Sequence, residues 1–321
     1  MATLRRALQQ GRVHHAYLFE GQEGVGKELA AFGLAQALVC EGRAVGTETS
    51  ADACGTCSAC TRAVLRKGEK RPAHPDVIVL ERGLYDPAQI GRRTPESQDI
   101  SIDQVRALVL ARAAFAPHEG RAKVIVIRRA EELSVPAANA LLKTLEEPGR
   151  NTYFILLSAQ ADTLLPTIRS RTQRVRFAPL ADDVVARLLV QAGGDAKHAA
   201  AIAALAHGSV AAAVSLADPE ETEARDAFVT RAMAALDAAE MGLSLELADD
   251  AKKQKDTLPM HLAALAQRLA DEARKTLSLD GERAEVSAVR YGLVLSAVRQ
   301  LDGNASPQLV VESMLSRMRG V

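Results

Sequence analysis

The sequence contains no tryptophan and only 3% aromatic residues, although 48% of its 321 residues are hydrophobic. A core with so few large rings must rely on small and aliphatic side chains, and the abundance of alanine favours closely packed helices. The 40 basic and 40 acidic residues give a net charge of zero, which excludes a strong overall attraction to nucleic acid or to an anionic membrane. Any contact with DNA must therefore be local or shared with partners.

Long hydrophobic runs are also missing from the sequence. No apolar stretch reaches the roughly 18 residues that a membrane-spanning helix requires, and residues 1–10 lack the apolar core of a signal peptide. We therefore expect a cytoplasmic protein with no membrane partner. In that reducing compartment the four cysteines are not expected to form disulfides.

The arrangement of apolar residues changes along the chain. In the first half, short apolar runs alternate with helical patterns, which is typical of βαβ units around a parallel sheet. Strands are predicted at 17–19, 76–80, 124–127, 153–157 and 174–177. After Pro179 the pattern predicts helices only. We therefore expect an α/β domain at 1–178, a small helical lid domain at 179–218 and an all-α C-terminal domain at 219–321.

Two helices of the first domain have a predicted apolar side. One spans residues 27–39 and includes Leu29 and Phe32 on that side. The other begins near Ser101 or Asp103, either of which can cap it, and its apolar side includes Val105, Leu108 and Phe115.

Residues 21–28 read G-Q-E-G-V-G-K-E and follow a predicted strand directly. They match the P-loop pattern G-x-x-x-x-G-K-[ST], whose backbone N–H groups wrap phosphates and whose last hydroxyl holds magnesium. Gly21, Gly24, Gly26 and Lys27 are in place, but Glu28 replaces the hydroxyl. A carboxylate there repels phosphate oxygens, so ATP binding stays open and hydrolysis is the less expected activity.

The residues after the predicted strand 124–127 depart from an ATPase in a second way. P-loop ATPases place acidic residues there to hold magnesium and to activate water, whereas this chain has Arg128 and Arg129. Glu131 and Glu132 are possible substitutes. A helical turn is expected to move them several ångströms from the end of the strand, and a solvated helix start is the simpler interpretation.

The cysteines form a third feature. Cys40 ends the predicted helix, and Cys54, Cys57 and Cys60 follow as C-x2-C-x2-C. Four thiolates at such spacings are typical of a structural zinc site, so we predict a zinc module inserted at about residues 40–60. Reduced thiols, a redox pair and an iron–sulfur cluster remain alternatives, and His74 is a reserve ligand.

Two further stretches carry a family resemblance. Residues 137–148 read A-A-N-A-L-L-K-T-L-E-E-P, and residues 170–172 read S-R-T. Together with H-A-Y-L-F-E-G before the P-loop, H-P-D at 74–76 and the cysteines, they resemble bacterial DNA polymerase III clamp-loader subunits of the AAA+ class. The chain is most similar to the delta-prime subunit, with gamma/tau as its paralogue. The resemblance is dense over 13–179 and only architectural after about 217.

The resemblance implies roles for particular residues. Ser170 and Arg171 match the family's S-R-C motif, with Thr172 in place of cysteine, and in that family the arginine reaches into the ATP site of the neighbouring subunit. A guanidinium there offsets the charge that develops on the transferred phosphoryl group. Ser158 lies at the position of the first sensor residue. Ala211 replaces the sensor arginine that active relatives carry in the lid.

The resemblance also implies a function. We expect a component of the polymerase III holoenzyme without ATPase activity of its own, assembled with gamma/tau and delta subunits through a C-terminal collar. Through that complex it would act on the sliding clamp and on primer–template DNA. The alternatives are a gamma/tau-like ATPase that uses Glu28 or Glu131 for magnesium, and a regulatory AAA+ protein unrelated to replication.

Overall fold

The computed structural model describes residues 2–42, 53–66, 68–85, 99–119, 121–238, 240–254, 257–303 and 305–321. Part of the predicted zinc module, residues 43–52, lies outside these ranges. The chain forms two compact units, Met1–Ala213 and Val214–Val321. The finer division into three domains, with boundaries at 178/179 and 218/219, stays a prediction.

The first unit contains a five-stranded parallel sheet in the order β2-β3-β4-β1-β5. Its strands are β1 (Ala16–Glu20), β2 (Val77–Leu80), β3 (Lys123–Ile127), β4 (Thr152–Ser158) and β5 (Gln173–Arg176). The strands β1 to β3 are buried along their whole length, which explains their nearly continuous apolar runs. The edge strand β5 is polar and largely exposed. The predicted parallel sheet is confirmed.

Helices cover both faces of this sheet and continue along the chain, and the last of them crosses the boundary between the two units at 213/214. They are α1 (Ala2–Gln9), α2 (Lys27–Val39), α3 (Ser58–Ala63), α4 (Ile102–Gln104), α5 (Ala111–Ala113), α6 (Val135–Glu146), α7 (Pro166–Arg169), α8 (Asp182–Gln191), α9 (Ala199–Leu205) and α10 (Val210–Ala217). Because strand side chains alternate, Val126 packs on the face of the sheet that α2 covers. Ile125 packs on the opposite face, with Leu141 of α6.

The helical segment between β2 and β3 begins as predicted and continues differently. Ser101 caps it, with Gln104 completing a capping box. Between α4 and α5 the chain forms a π-helix, Val105–Leu110, which the sequence did not indicate. Phe115 and Leu29 belong to the apolar sides that the spacing predicts, yet their side chains are 72% and 80% exposed.

The second unit consists of helices in its described part. They are α11 (Pro219–Asp237), α12 (Gly242–Lys253), α13 (Leu258–Thr276), α14 (Gly281–Asp302) and α15 (Pro307–Arg319). Their core is formed by aliphatic, alanine and methionine side chains around Phe228, including Leu262, Leu265 and Met314. The predicted all-α region is confirmed. No helix in the described ranges has the length and apolarity of a membrane span.

The sheet topology determines which residues meet at its carboxyl edge. The P-loop follows β1, Arg128 follows β3, and Ser158 ends β4. Since the strands are parallel, these three segments reach the same edge, where α/β proteins commonly bind ligands.

Candidate functional site: the P-loop cavity and the cysteine cluster

The P-loop connects β1 to α2 and approaches other backbone closely at two glycines. A Cβ on Gly21 would lie 2.3 Å from the carbonyl oxygen of Phe177. Gly24 has a φ of 77°, and a Cβ there would lie 2.2 Å from Ser209 Oγ. Its carbonyl accepts a 3.0 Å hydrogen bond from the N–H of Val210. Glycine is therefore required at both positions for the loop to lie against its neighbours.

The Lys27 ammonium group is directed to its own loop. It donates hydrogen bonds to the carbonyl oxygens of Gly21 and of Gln22, the latter at 2.7 Å. Burial lowers the pKa of Lys27, while the charges of Glu23 and Glu131 act in the opposite direction. In a working P-loop this lysine binds the β- and γ-phosphates, and here those phosphates would have to displace both backbone contacts.

Glu28 and Arg128 form an ion pair within the cavity. Arg128 also contacts a Glu81 oxygen at 2.7 Å and donates a 3.0 Å hydrogen bond to the carbonyl of Lys70. The Arg128 side chain is only 12% exposed. Glu28 in the P-loop and Arg128 after β3 are separate departures from the ATPase pattern in the sequence. In the structure they form one contact, because the carboxylate and the guanidinium group neutralise each other.

Arg129 follows in a left-handed backbone conformation, with a φ of 45°. Its guanidinium group lies 3.3 Å from Glu23 and 3.5 Å from Glu132. Both arginines at the end of β3 thus pair with carboxylates.

Glu131 lines the same cavity as Lys27. One of its oxygens accepts a 3.1 Å hydrogen bond from the N–H of Ala159, and the other is buried without a hydrogen-bond partner among the described residues. Glu131 was expected several ångströms from the end of β3, and at the short 3₁₀ turn Ala130–Glu132 it still lines the P-loop cavity. Glu132 does not line the cavity.

Ser158 and Ala211 also line the cavity. The Ser158 hydroxyl is buried and accepts a 3.1 Å hydrogen bond from the N–H of Gln160, while its carbonyl accepts one at 3.2 Å from Gly21. Ala211 brings no charge to the cavity.

The cavity has a volume of about 480 Å³ and a nearly balanced set of charges. Its described lining contains the cations Lys27, Arg128 and Arg129 and the anions Glu23, Glu28, Glu81 and Glu131. Three positive and four negative groups sum to a formal charge of −1. A phosphate cradle ordinarily offers an excess of positive charge, which this cavity lacks.

Arg171 lies outside the P-loop cavity, just after α7. Its Nε donates a 2.6 Å hydrogen bond to Glu146, and its Nη1 donates one of 2.9 Å to the carbonyl of Thr167. The side chain keeps 32% of its surface exposed. Ser170 accepts a 3.3 Å contact from the same guanidinium, whereas Thr172 is buried and donates to the carbonyl of Ile168 at 3.1 Å. Hydrogen bonds to Glu146 and Thr167 thus orient the Arg171 side chain, which remains partly exposed to solvent.

The four cysteines meet in one cluster between α2 and α3. The sulfur atoms of Cys40, Cys54, Cys57 and Cys60 all lie within 4.8 Å of one another, and those of Cys54 and Cys60 are 3.9 Å apart. Tetrahedral coordination with Zn–S bonds of about 2.3 Å requires sulfur separations of about 3.8 Å. The donor set and its dimensions therefore fit a structural zinc ion.

Backbone N–H groups point at the sulfur atoms of this cluster. Cys54 N–H donates to Cys40, Cys57 N–H to Cys54 and Cys60 N–H to Cys57, each at 3.4 Å. The donors from Cys57 and Thr56 lower the pKa of Cys54 to about 6, and burial raises the pKa of Cys60. The reserve ligand His74 is not part of the cluster: its Nδ1 accepts the N–H of Asp76, and its Nε2 lies 3.2 Å from Glu119 without a hydrogen bond. The described cluster contains cysteines alone.

The parallel sheet, the P-loop at its carboxyl edge and the helical second unit define a P-loop protein of the AAA+ class. A gamma subunit-related protein of DNA polymerase III from Thermotoga maritima shares this fold, with a TM-score of 0.50 and 17% identity, covering 99% of this chain and 98% of that one. The family model for "DNA polymerase III, delta subunit" matches residues 1–181. Together with curated delta-prime relatives, that match shows that the chain belongs to the delta-prime family of the DNA polymerase III clamp loader.

Relatives of two kinds are similar to the chain. The delta-prime subunit of Bacillus subtilis is 31% identical over 69% of this chain and 59% of its own length, and that of Pseudomonas aeruginosa is 42% identical over 49% and 41%. The gamma/tau subunit of Mycobacterium tuberculosis is 31% identical over 60% of this chain and 32% of its own length. The matched part of the chain thus covers between 32% and 59% of the length of these relatives.

Proposed function

We propose that the chain is a clamp-loader subunit that does not hydrolyse ATP and that supplies Arg171 to the nucleotide site of an adjacent subunit. The Glu28–Arg128 ion pair carries the first half of this proposal. It places a salt bridge at the two positions that an ATPase uses for its metal.

The charge of the cavity supports the same conclusion. A carboxylate about 4 Å from a phosphate oxygen costs roughly 4 kcal/mol at an effective dielectric constant of 20. Arg128 neutralises Glu28 in the free chain, but a guanidinium cannot accept lone pairs from water and phosphate as magnesium does. ATP binding would be weak or absent, and a bound triphosphate would lack the metal that assists its cleavage.

The surroundings of Arg171 support the second part of the proposal, that this residue acts at the nucleotide site of an adjacent subunit. The partner Glu146 is 47% exposed, so this ion pair is held only loosely by its surroundings. A phosphoryl group presented by a neighbour can replace the carboxylate, while the hydrogen bond to Thr167 keeps the guanidinium oriented. The proposed adjacent subunit is gamma/tau, with delta completing the complex and the sliding clamp and primed DNA as its substrates.

The remaining parts receive structural roles in this proposal. The cysteine cluster would hold one zinc ion that joins the end of α2 to the start of α3. Residues 179–218 would serve as the lid, and 219–321 as the collar through which the subunits assemble.

The test is Arg171→Ala in a complex reconstituted with gamma/tau and delta. We expect turnover at the affected site to fall about a thousandfold and clamp loading onto primed DNA to fall with it. Arg169→Ala is the matched control, because Arg169 ends the same helix α7 and pairs with Asp162. Clamp loading at the wild-type rate by the Arg171→Ala complex would show that the trans role is wrong.

Glu131 favours a second candidate, a gamma/tau-like ATPase. One of its oxygens is buried, has no hydrogen-bond partner among the described residues, and lines the same cavity as Lys27, where it would be available to a magnesium ion or its water. Steady hydrolysis by the purified chain, abolished by both Lys27→Ala and Glu131→Gln, would establish that activity and overturn the first proposal.

A further inference from the structure

A second cavity lies at the opposite, amino edge of the sheet. It has a volume of about 570 Å³ and is lined by residues that precede β1, residues around the start of β4, and Gln173 at the start of β5. Its cationic and polar members include Arg12, His14, His15, Arg150, Asn151 and Gln173. No carboxylate belongs to its described lining. In this respect it differs from the P-loop cavity, where acids outnumber bases.

The two arginines of this cavity are exposed, and neither takes part in an ion pair in the described part of the chain. By contrast, Arg128, Arg129 and Arg171 each contact a carboxylate. Two uncompensated guanidinium groups around one concave surface attract an anion and can bind it through several N–H donors.

The histidines give the cavity a fixed wall. His15 Nε2 lies 2.9 Å from the carbonyl oxygen of Leu145, and His14 Nδ1 lies 2.8 Å from that of Ala16. Their rings stack at a centroid distance of 4.3 Å. Asn151, which also lines the cavity, has a left-handed backbone conformation with a φ of 58°. Contacts to backbone carbonyl oxygens therefore hold the two histidines of the cavity in place.

The segment 145–150 connects this cavity to Arg171. Leu145 contacts His15, the next residue Glu146 holds Arg171, and Arg150 lines the cavity. Arg171 is also only two residues before the lining residue Gln173. The cavity and Arg171 thus share one supporting segment.

We propose that this amino-edge cavity is a phosphate-binding site that takes the phosphoryl groups of a nucleotide through Arg12 and Arg150. Its volume suits a small ligand, and a planar guanidinium binds phosphate oxygens in a bidentate manner. That the nucleotide is one held by a neighbouring subunit rests on the function proposed above for Arg171.

The site is tested by titrating the full-length, zinc-loaded chain with pyrophosphate in a calorimeter. We expect binding that the double variant Arg12→Ala/Arg150→Ala weakens about tenfold or more, since each lost charge-assisted contact removes a substantial part of the affinity. Arg12→Lys/Arg150→Lys should recover part of it. Lys27→Ala should leave it unchanged, and so should Arg187→Ala, which removes an exposed arginine of α8 that pairs with Asp183.

Several results would overturn the proposal. They are an absence of pyrophosphate binding, a loss of binding in Lys27→Ala alone, and an equal loss in Arg187→Ala. Arg171→Ala separates this inference from the proposed function. It should abolish the trans effect in the complex while pyrophosphate still binds to the isolated variant, so either idea can fail alone.

Discussion

Glu28 and Arg128 are one hundred positions apart in the chain, and their side chains meet in the P-loop cavity. Glu28 replaces the hydroxyl that holds magnesium in an ATPase, and Arg128 replaces an acidic residue. Together they form an ion pair in which each side chain neutralises the charge of the other. A carboxylate introduced at the end of the P-loop would be unfavourable beside Glu81 if Arg128 did not lie between them. At the level of single residues, Arg128 thus stabilises the cavity by neutralising the carboxylates of Glu28 and Glu81.

This pairing predicts a measurable coupling. We expect the double-mutant cycle of Glu28→Ala and Arg128→Ala to give a coupling free energy of about 1 kcal/mol, since Arg128 is nearly buried and Glu28 is half exposed. Arg128→Ala should cost more than Glu28→Ala, because it leaves two carboxylates without their cation. The measurement is urea unfolding of the four proteins.

A matched control is the Asp183–Arg187 pair of α8, whose side chains are 66% and 65% exposed. Its cycle should give only about 0.3 to 0.5 kcal/mol. Equal coupling for the two pairs would mean that Arg128 gains nothing from its position in the cavity.

At the scale of elements, the cysteine cluster shows how a short sequence pattern becomes a local structure. Cys57 is the N-cap of α3, and its sulfur accepts the N–H of Cys60. A helix of six residues is too short to be stable by itself, so α3 depends on its attachment to α2 through Cys40 and the neighbouring sulfurs. A zinc ion would provide that attachment.

We therefore expect about one zinc ion per chain, measured by elemental analysis after extensive dialysis. Cys60→Ser should lose the metal and lower the melting temperature by several degrees, since metal binding contributes to folding free energy. Ser58→Ala, a change at an exposed position of α3, should do neither. Unchanged zinc content in Cys60→Ser would exclude the four-cysteine site.

At the scale of the whole molecule, each of the two units has its own core and can respond separately to conditions. His261 is 2% exposed in the core of the second unit, and neither ring nitrogen has a hydrogen-bond partner among the described residues. Its ring lies 5.3 Å from that of Phe228. Burial lowers the pKa of His261 below 6.5, with Glu221 opposing and Arg225 adding to the shift.

This burial predicts that acid destabilises the second unit. Below pH 6.5 the unfolded chain takes up a proton that the folded unit excludes, so stability falls by up to about 1.4 kcal/mol per pH unit. Above that pH both states are neutral at this position and the effect disappears. His261→Phe should reduce the loss between pH 7 and pH 5, measured by urea unfolding.

The exposed His198 provides the control. His198→Gln should retain the pH dependence of the wild-type protein. If His261→Phe also retains it, other groups must be responsible for the acid sensitivity.

Features that depend on near neighbours in the chain could be predicted from the sequence. Apolar runs predicted the buried strands, the spacing of glycines and Lys27 predicted the P-loop, and the spacing of the cysteines predicted their cluster. These features can be predicted from sequence patterns because strand burial, loop geometry and a helix cap each involve residues only a few positions apart.

Contacts between distant segments could not be predicted from the sequence, because they depend on how the chain folds. The Glu28–Arg128 pair, the position of Glu131 and the link from His15 to Arg171 all depend on which strands are adjacent at each edge of the sheet. Leu29 and Phe115 fit an apolar helical pattern and are nevertheless exposed. Periodicity shows which residues share a face, whereas the order of the strands determines what that face meets.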